Sequence, residues 1–307
     1  MTAYTYERLC AEMRRLALRY PFLGFHTIGS SVLGKPIPAI RLGTGAVPVH
    51  INAACHANEW ITTPLSMRFL EEASQAYASG VIWRGRALRE VLADVTLWLV
   101  PMVNPDGVDL VQRGAWPGQP YSEQLLIWNG GSEDFRSWKA NVRGVDLNDQ
   151  FPAHWEEEQA RRGREGPGER DYGGEAPLSE PEALALFRLT EALDFELVVS
   201  LHTQGQEIYW NYRDCEPPDA EISAERLAQA SGYAAVKLSG SDAGYKDWFI
   251  QQFRRPGFTV EVGLGENPLP FSELPVYYEE LAPLLLEALD IGRERAGRRA
   301  GTQLRRD

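Results

Sequence analysis

The chain has 307 residues, of which 44% are hydrophobic, and 43 acidic against 31 basic residues give it a net charge of −12. This apolar content excludes a disordered chain, and the length allows a core that buries about three quarters of the unfolded surface. The negative balance argues against nucleic acid or an anionic membrane surface as the main partner.

The cysteine pattern and the N-terminal stretch indicate a compartment. Cys10, Cys55 and Cys215 lie far apart, without a CxxC pair or a Cys/His cluster, so a thiolate metal site is not expected. Free thiols are typical of a reducing compartment. Glu7 and Glu12 interrupt the N-terminal stretch, which lacks the apolar core of a signal peptide, and no apolar run approaches the length of a membrane span. These patterns predict a cytoplasmic protein with no membrane partner.

Strand and helix patterns alternate along most of the chain, as judged from apolar periodicity and turn signals. Two stretches depart from this alternation: 112–145 is rich in loops, and 156–176, charged and rich in glycine, is expected to be an exposed loop. In chain order, the predicted elements are a helix over 1–20, a hairpin over 25–42, a strand over 47–54, a helix over 61–78, a strand over 95–104, a helix over 179–193, a strand over 195–203, helices over 219–232 and 245–253, a strand over 258–262 and a helix over 275–298.

This alternation predicts an α/β fold with a parallel or mixed sheet that helices cover on both faces. No repeat and no linker divides the sequence, so a single domain over 1–307 is predicted. Asn104-Pro105-Asp106-Gly107 is a turn signal after the strand at 95–104. Ser179 and Glu182 have the spacing of a capping box at the start of the helix over 179–193.

Two of the five histidines, His56 and His202, each lie at the end of a predicted buried strand, where open α/β sheets bind their ligands. Glu59 follows His56 by three positions, and two histidines with one glutamate are the usual protein ligands of a catalytic zinc ion. The alternative is that both histidines are hydrogen-bonded core residues. His26 and His50 have no acidic neighbour at ligand spacing and are predicted to be structural.

Glu261 lies in the apolar strand over 258–262, where a carboxylate is costly unless it is paired or functional. One interpretation is an ion-paired strand residue. The other is a general base that takes a proton from zinc-activated water, with a pKa raised by burial. The residues alone leave both interpretations open.

Six segments occur in an order that is typical of one enzyme family. They are His56-Ala57-Asn58-Glu59-Trp60-Ile61-Thr62, Gly144-Val145-Asp146-Leu147-Asn148, Tyr172-Gly173-Gly174, Ser179-Glu180-Pro181-Glu182, Ser200-Leu201-His202-Thr203 and Phe258-Thr259-Val260-Glu261. They resemble the motifs of carboxypeptidase A-type zinc metallopeptidases. The resemblance implies one zinc ion held by His56, Glu59 and His202, with Glu261 as general base. It also implies a single domain with a mixed eight-stranded sheet and helices on both faces.

The sequence departs from this family at two positions. The family pairs an asparagine with an arginine that grips the terminal carboxylate of the substrate; here Asn148 is kept, to hold the residue after the scissile bond, but Asp149 follows it. Asp149 would repel a carboxylate and favour an ammonium. Trp138-Lys139 matches the family's Trp-Arg pair, so Lys139, or Arg143 nearby, is implied to stabilise the oxyanion.

Three further residues concern the substrate pocket. Their positions in the family's pattern are found by counting back from Asp247-Trp248. Lys246 falls where the family sets side-chain specificity, and a lysine there would favour an acidic group. Ser239 stands where the family has a mobile substrate-capping tyrosine. Tyr245 is displaced from that position, and we expect it to pack or to line the pocket without a catalytic role.

The stretches GVDLNDQFPAHW, SLHTQGQEIYW and GENPLP are similar to those of bacterial γ-D-glutamyl-diaminoacid peptidases. The resemblance implies zinc-dependent hydrolysis of the γ-D-glutamyl-diaminopimelate bond in murein peptides, during their recycling or remodelling. Asp149 would then bind the ammonium of diaminopimelate and Lys246 a carboxylate, with hydrogen bonds from Gln204 and Gln206. The alternatives are a conventional metallocarboxypeptidase acting on peptide C-termini and an inactive protein that binds murein fragments.

Overall fold

A computed structural model describes residues 3–116 and 118–303 of the chain. The strands are β1 (Gly24–Ser30), β2 (Pro36–Leu42), β3 (Val47–Ala53), β4 (Ile82–Trp83), β5 (Arg86–Ala87), β6 (Val95–Val100), β7 (Leu197–His202), β8 (Glu207–Tyr209), β9 (Ala234–Val236) and β10 (Gly257–Glu261). The helices are α1 (Tyr6–Arg19), α2 (Thr62–Ser79), α3 (Leu88–Asp94), α4 (Pro105–Arg113), α5 (Ser122–Trp128), α6 (Trp155–Arg162), α7 (Pro181–Leu193), α8 (Ala220–Ser231), α9 (Tyr245–Phe253) and α10 (Leu274–Gln303). Within the described ranges, no helix has both the length and the apolar character to cross a membrane.

Eight strands form one mixed sheet in the order β1-β2-β6-β3-β7-β10-β8-β9. Its centre is parallel, because β6, β3, β7 and β10 pair in the same direction. Antiparallel neighbours flank this centre, β2 beside β6 and β8 beside β10. Parallel neighbours need crossover connections, which place helices over the sheet. The predicted mixed eight-stranded sheet is confirmed.

Helices pack on both faces of the sheet, as predicted. Helices α2, α8 and α10 contact one face, and α7 and α9 contact the other. The alternation of side chains along β7 shows the two layers: Leu201 belongs to the larger core beneath α10, whereas Val198 packs with Trp248 and Phe249 of α9. A functional site is therefore expected at the polar ends of the strands, on the face of the sheet that contacts α9.

The predicted turn after β6 is the first turn of a helix. The Asn104 side chain accepts a hydrogen bond of 3.0 Å from the backbone N–H of Gly107, and Pro105 follows it at the first helical position. Asparagine is a strong N-cap, and proline is tolerated at that position because its missing N–H would have no helical partner. The turn residues thus begin α4.

The capping box predicted at Ser179 and Glu182 is wrong. Helix α7 begins at Pro181, and its N-cap residue, Glu180, makes no side-chain capping bond. The Glu182 carboxylate instead accepts a hydrogen bond of 3.0 Å from the backbone of Val32, far away in sequence. The Glu182 side chain, which the local pattern assigned to the cap, forms a tertiary contact instead.

Part of the loop predicted over 156–176 is the helix α6. Its first turn is acidic and its last turn is basic, which suits the helix dipole. Its buried residue Glu158 binds Arg161 and Arg162 and accepts a hydrogen bond from the backbone of Asp242. Because glycines surround α6, the sequence pattern did not predict this short helix. Its residue Arg162 belongs to the candidate site.

Candidate functional site

The candidate site lies where the parallel strands β3, β7 and β10 end. His202 is the last residue of β7 and is the ladder partner of Glu261, the last residue of β10. After β3 the chain turns through His56 into a short 3-10 helix that ends at Glu59. Thr62 fixes this turn, because its hydroxyl donates to the Glu59 carbonyl at 2.8 Å and accepts from the backbone of Ala54 at 2.9 Å.

His56, Glu59 and His202 converge on one point. The two carboxylate oxygens of Glu59 lie 2.9 Å from Nδ1 of His56 and 2.9 Å from Nδ1 of His202, and the two Nδ1 atoms are 3.0 Å apart. Each residue is at most 5% exposed. Ligand atoms of a tetrahedral zinc ion lie roughly 3.3 Å apart, so the three side chains fit a zinc ion.

A carboxylate and a lysine support the far side of His56. Nε2 of His56 lies 3.2 Å from Oδ1 of Asp146, and Oδ2 of Asp146 lies 2.8 Å from Nζ of Lys139. Burial would lower the pKa of His56, but Glu59 and Asp146 raise it to about 9. A carboxylate on the outer nitrogen fixes the orientation of a metal-binding imidazole.

Glu261 has the properties of a general base beside this cluster. Burial, followed by the charge of Glu59, raises its pKa to about 8, although His56 and Lys139 act in the opposite direction. A carboxyl group that titrates near neutral pH can accept and return a proton in the same reaction. Glu261 as general base stays a prediction, and its position opposite His202 in the ladder is consistent with it.

The structure brings Lys139 to the cluster but leaves Arg143 outside it. Burial would lower the pKa of Lys139, yet Asp146 raises it above its usual value, so the ammonium stays charged. Arg143 instead contacts the Tyr121 hydroxyl at 3.3 Å and lies 3.7 Å from Glu180, with its side chain 41% exposed. Of the two predicted oxyanion partners, Lys139 is the one near the candidate ligands, where its ammonium contacts Asp146, and its role stays a prediction.

The carboxylate of Asp149 does not face an open pocket. Its side chain is 3% exposed, and Arg162 of α6 approaches it with Nε 3.1 Å from Oδ2 and Nη2 3.3 Å from Oδ1. Asp149 as the partner of a substrate ammonium stays a prediction, and in this structure its buried carboxylate contacts the Arg162 guanidinium instead. Neighbouring Asn148 is partly exposed, and its side-chain oxygen accepts from the backbone of Tyr245 at 3.3 Å.

Lys246 lines a cavity of about 500 Å³, but its charge is compensated. Its Nζ donates to the Asn211 carbonyl at 2.7 Å and lies 2.6 Å from Oδ1 of Asp247. Tyr245 is buried, with its hydroxyl 2.8 Å from that of Thr190, so it packs as expected. Other predicted site residues remain at the surface: Gln204 and Ser239 are exposed, and Gln206 is partly exposed.

Comparison with known families agrees with this geometry. A family model described as zinc carboxypeptidase matches residues 9–283. The chain therefore belongs to the zinc carboxypeptidase family. It is a zinc metallopeptidase, as the resemblance of its motifs predicted, and zinc is its cofactor.

The chain is also similar to individual proteins of known name. The chain is 48% identical to the gamma-D-glutamyl-L-diamino acid endopeptidase 1 of Lysinibacillus sphaericus, over 93% of this chain and 72% of the relative. Its fold is similar to that of bovine thrombin-activatable fibrinolysis inhibitor, with a TM-score of 0.74 and 19% identity over 96% of this chain and 98% of the other. It is also similar to the murein-tripeptide amidase MpaA from Escherichia coli O157, with a TM-score of 0.51 and 24% identity over 86% and 92%.

The ligand geometry predicts how zinc content responds to substitution. We expect about one zinc ion per purified chain, and less than about a tenth of that in His202→Ala, because the ion loses one of three protein ligands. Elemental analysis after dialysis measures this content. The control is His26→Ala, which removes an exposed histidine of β1. Equal zinc loss in both variants would contradict the assignment.

The raised pKa of Glu261 predicts a stability effect with a definite sign. A carboxyl group whose pKa is about 8 when folded, against about 4.5 when unfolded, destabilises the folded state increasingly as pH rises between these values. In the zinc-free protein, Glu261→Gln should therefore raise the melting temperature over wild type at about pH 9 and far less at about pH 5. Differential scanning calorimetry at both pH values tests this, and an equal difference at the two would contradict it.

Proposed function

We propose that this zinc metallopeptidase hydrolyses the amide bond between the γ-carboxyl group of D-glutamate and a diamino acid in murein peptides. The 48% identity to a γ-D-glutamyl-diamino acid endopeptidase over 93% of the chain is the main support. The replacement of the family's carboxylate-binding arginine by Asp149 points the same way, since it indicates a substrate end that differs from an ordinary peptide C-terminus.

In this proposal the metal ligands are His56, Glu59 and His202. Zinc held by these three residues would supply Lewis-acid chemistry for the scissile carbonyl and the attacking water. Glu261 removes a proton from the attacking water and returns it to the nitrogen of the leaving amine. The ammonium of Lys139 stabilises the negative charge that develops on the carbonyl oxygen.

Substrate positioning is proposed for residues around the same edge of the sheet. Asn148 and Gln204 offer neutral hydrogen bonds to the residue after the scissile bond. Asp149 acts indirectly, by fixing the position of Arg162 beside the site. Lys246 lines the cavity next to α9 and is proposed to attract an acidic group of the substrate there.

The two alternatives have less support. A conventional metallocarboxypeptidase would bind a terminal carboxylate with an arginine at position 149. Here that position is an aspartate, and the nearby Arg162 is already engaged by Asp149, Glu158 and Asp171. An inactive binding protein would be expected to lack part of the machinery. Here the three candidate ligands and Glu261 occupy one edge of the sheet.

The reaction predicts a specific product from a defined peptide. We expect L-Ala-γ-D-Glu-diaminopimelate to be cut into L-Ala-D-Glu and free diaminopimelate, and a zinc chelator to abolish the cleavage. Glu261→Gln should keep its zinc and lose at least about a thousandfold in kcat, since proton transfer to and from the base is removed. Mass spectrometry of tri- and tetrapeptide digests measures both effects.

Blocked α-dipeptides serve as the comparison substrate. If they were cleaved faster than the γ-glutamyl peptide, the conventional carboxypeptidase would be the better description. A protein that holds zinc and cleaves neither substrate would support the inactive alternative.

A further inference from the structure

A second glutamate lies beside the proposed general base. In the antiparallel pairing of β8 and β10, Glu207 is the direct partner of Glu261, which in turn is the partner of His202 in β7. Side chains of directly opposed residues lie on the same face of a sheet, and neighbouring strands are about 4.8 Å apart. His202, Glu261 and Glu207 therefore form one row across the candidate site, with Glu207 at the end away from the metal ligands.

The carboxylate of Glu207 is partly exposed and held in one orientation. Tyr209, two residues along β8 and thus on the same face, donates its hydroxyl to Oε2 of Glu207 at 2.5 Å. Within the part of the chain that the structure describes, no lysine, arginine or histidine forms an ion pair with Glu207. Glu207 therefore offers a negative charge on the face of the sheet that carries His202 and Glu261.

Three other carboxylates near the site already have a cationic partner. Asp247 lies 2.6 Å from the ammonium of Lys246. Asp242 lies 2.8 Å from the guanidinium of Arg213. Asp149 is paired with Arg162 in the same way, as described above. Glu207 thus differs from these residues in offering a negative charge to a ligand.

We propose that Glu207, oriented by Tyr209, binds the side-chain ammonium of the diamino acid and so selects diamino acids over residues without that group. The inference rests on the proposed function and gives the ammonium a different partner from Asp149. A carboxylate and an ammonium form charge-assisted hydrogen bonds, which are about twice as strong as neutral ones.

The test compares two substrates that differ only in the ammonium. They are L-Ala-γ-D-Glu-diaminopimelate and the same peptide ending in 2-aminopimelate, which keeps the distal carboxylate and lacks the distal amine. In Glu207→Gln we expect the ratio of kcat/KM between the first and second substrates to fall about 10- to 100-fold, the usual worth of a hydrogen bond to a charged group. The change should appear mainly in KM for the diaminopimelate peptide.

Two further variants make the outcome decisive. Glu221→Gln removes an exposed glutamate of α8, on the other face of the sheet, and should leave the ratio at the wild-type value. Tyr209→Phe keeps the charge and removes the orienting hydroxyl, so it should lower the ratio by a smaller factor. It also decides the question if Glu207→Gln does not fold, since an unchanged ratio in Tyr209→Phe would then overturn the proposal.

The possible results separate this inference from the proposed function. An equal loss on both substrates in Glu207→Gln would mean that Glu207 acts only through Glu261, and the inference would be overturned. If the wild-type enzyme cleaved neither γ-glutamyl peptide, the proposed function itself would fail. A reduced ratio with intact zinc content supports the ammonium site.

Discussion

In this protein two imidazoles and one carboxylate converge on one buried point. The pairing of strands in the sheet is what brings these side chains together. His56 and His202 come from strands that are neighbours in the sheet but about 150 residues apart in sequence, so the β3–β7 pairing is needed to bring them together. The 3-10 turn after β3 returns Glu59 to the same point. Without the parallel centre of the sheet there would be no shared position for an ion.

Two cations lie among the carboxylates behind the metal ligands. Oxygen atoms of Asp146, Asp149 and Asp171 lie within 4.8 Å of one another, a concentration of negative charge that would be unfavourable in isolation. Lys139 pairs with Asp146, and Arg162 pairs with both Asp149 and Asp171. Helix α6 is thereby tied to the site, because it supplies the guanidinium that makes this cluster tolerable.

The distribution of compensated and uncompensated charge gives the site its chemical character. Lys139 stays cationic next to the ligands, and the pKa of Glu261 is raised to about 8. Within the described chain, Glu207 forms no ion pair. Under the proposed function, the distal ammonium of the diamino acid would meet the negative charge of Glu207. Specificity in this view comes from the strand beside the general base as well as from the loop that follows Asn148.

The sequence by itself determined the fold class and the candidate zinc ligands. Apolar runs marked the central strands, and polar residues at their ends marked the edge of the sheet where ligands bind. The motif order from His56 to Glu261 added the family. These features are readable because each depends on residues close together in the chain or on a pattern repeated over a whole element.

Only the tertiary structure decided which charges are available. The sequence did not show that Arg162 of α6 contacts the Asp149 carboxylate. It also did not separate Arg143 from Lys139 as oxyanion partners, whereas the structure shows that the Arg143 side chain contacts Tyr121. The three-residue strand β8 carries too few residues to show a periodic pattern, so its pairing with β10 could not be read from the sequence. Ion pairs and strand register join residues that are remote in the chain, and folding alone fixes their distances.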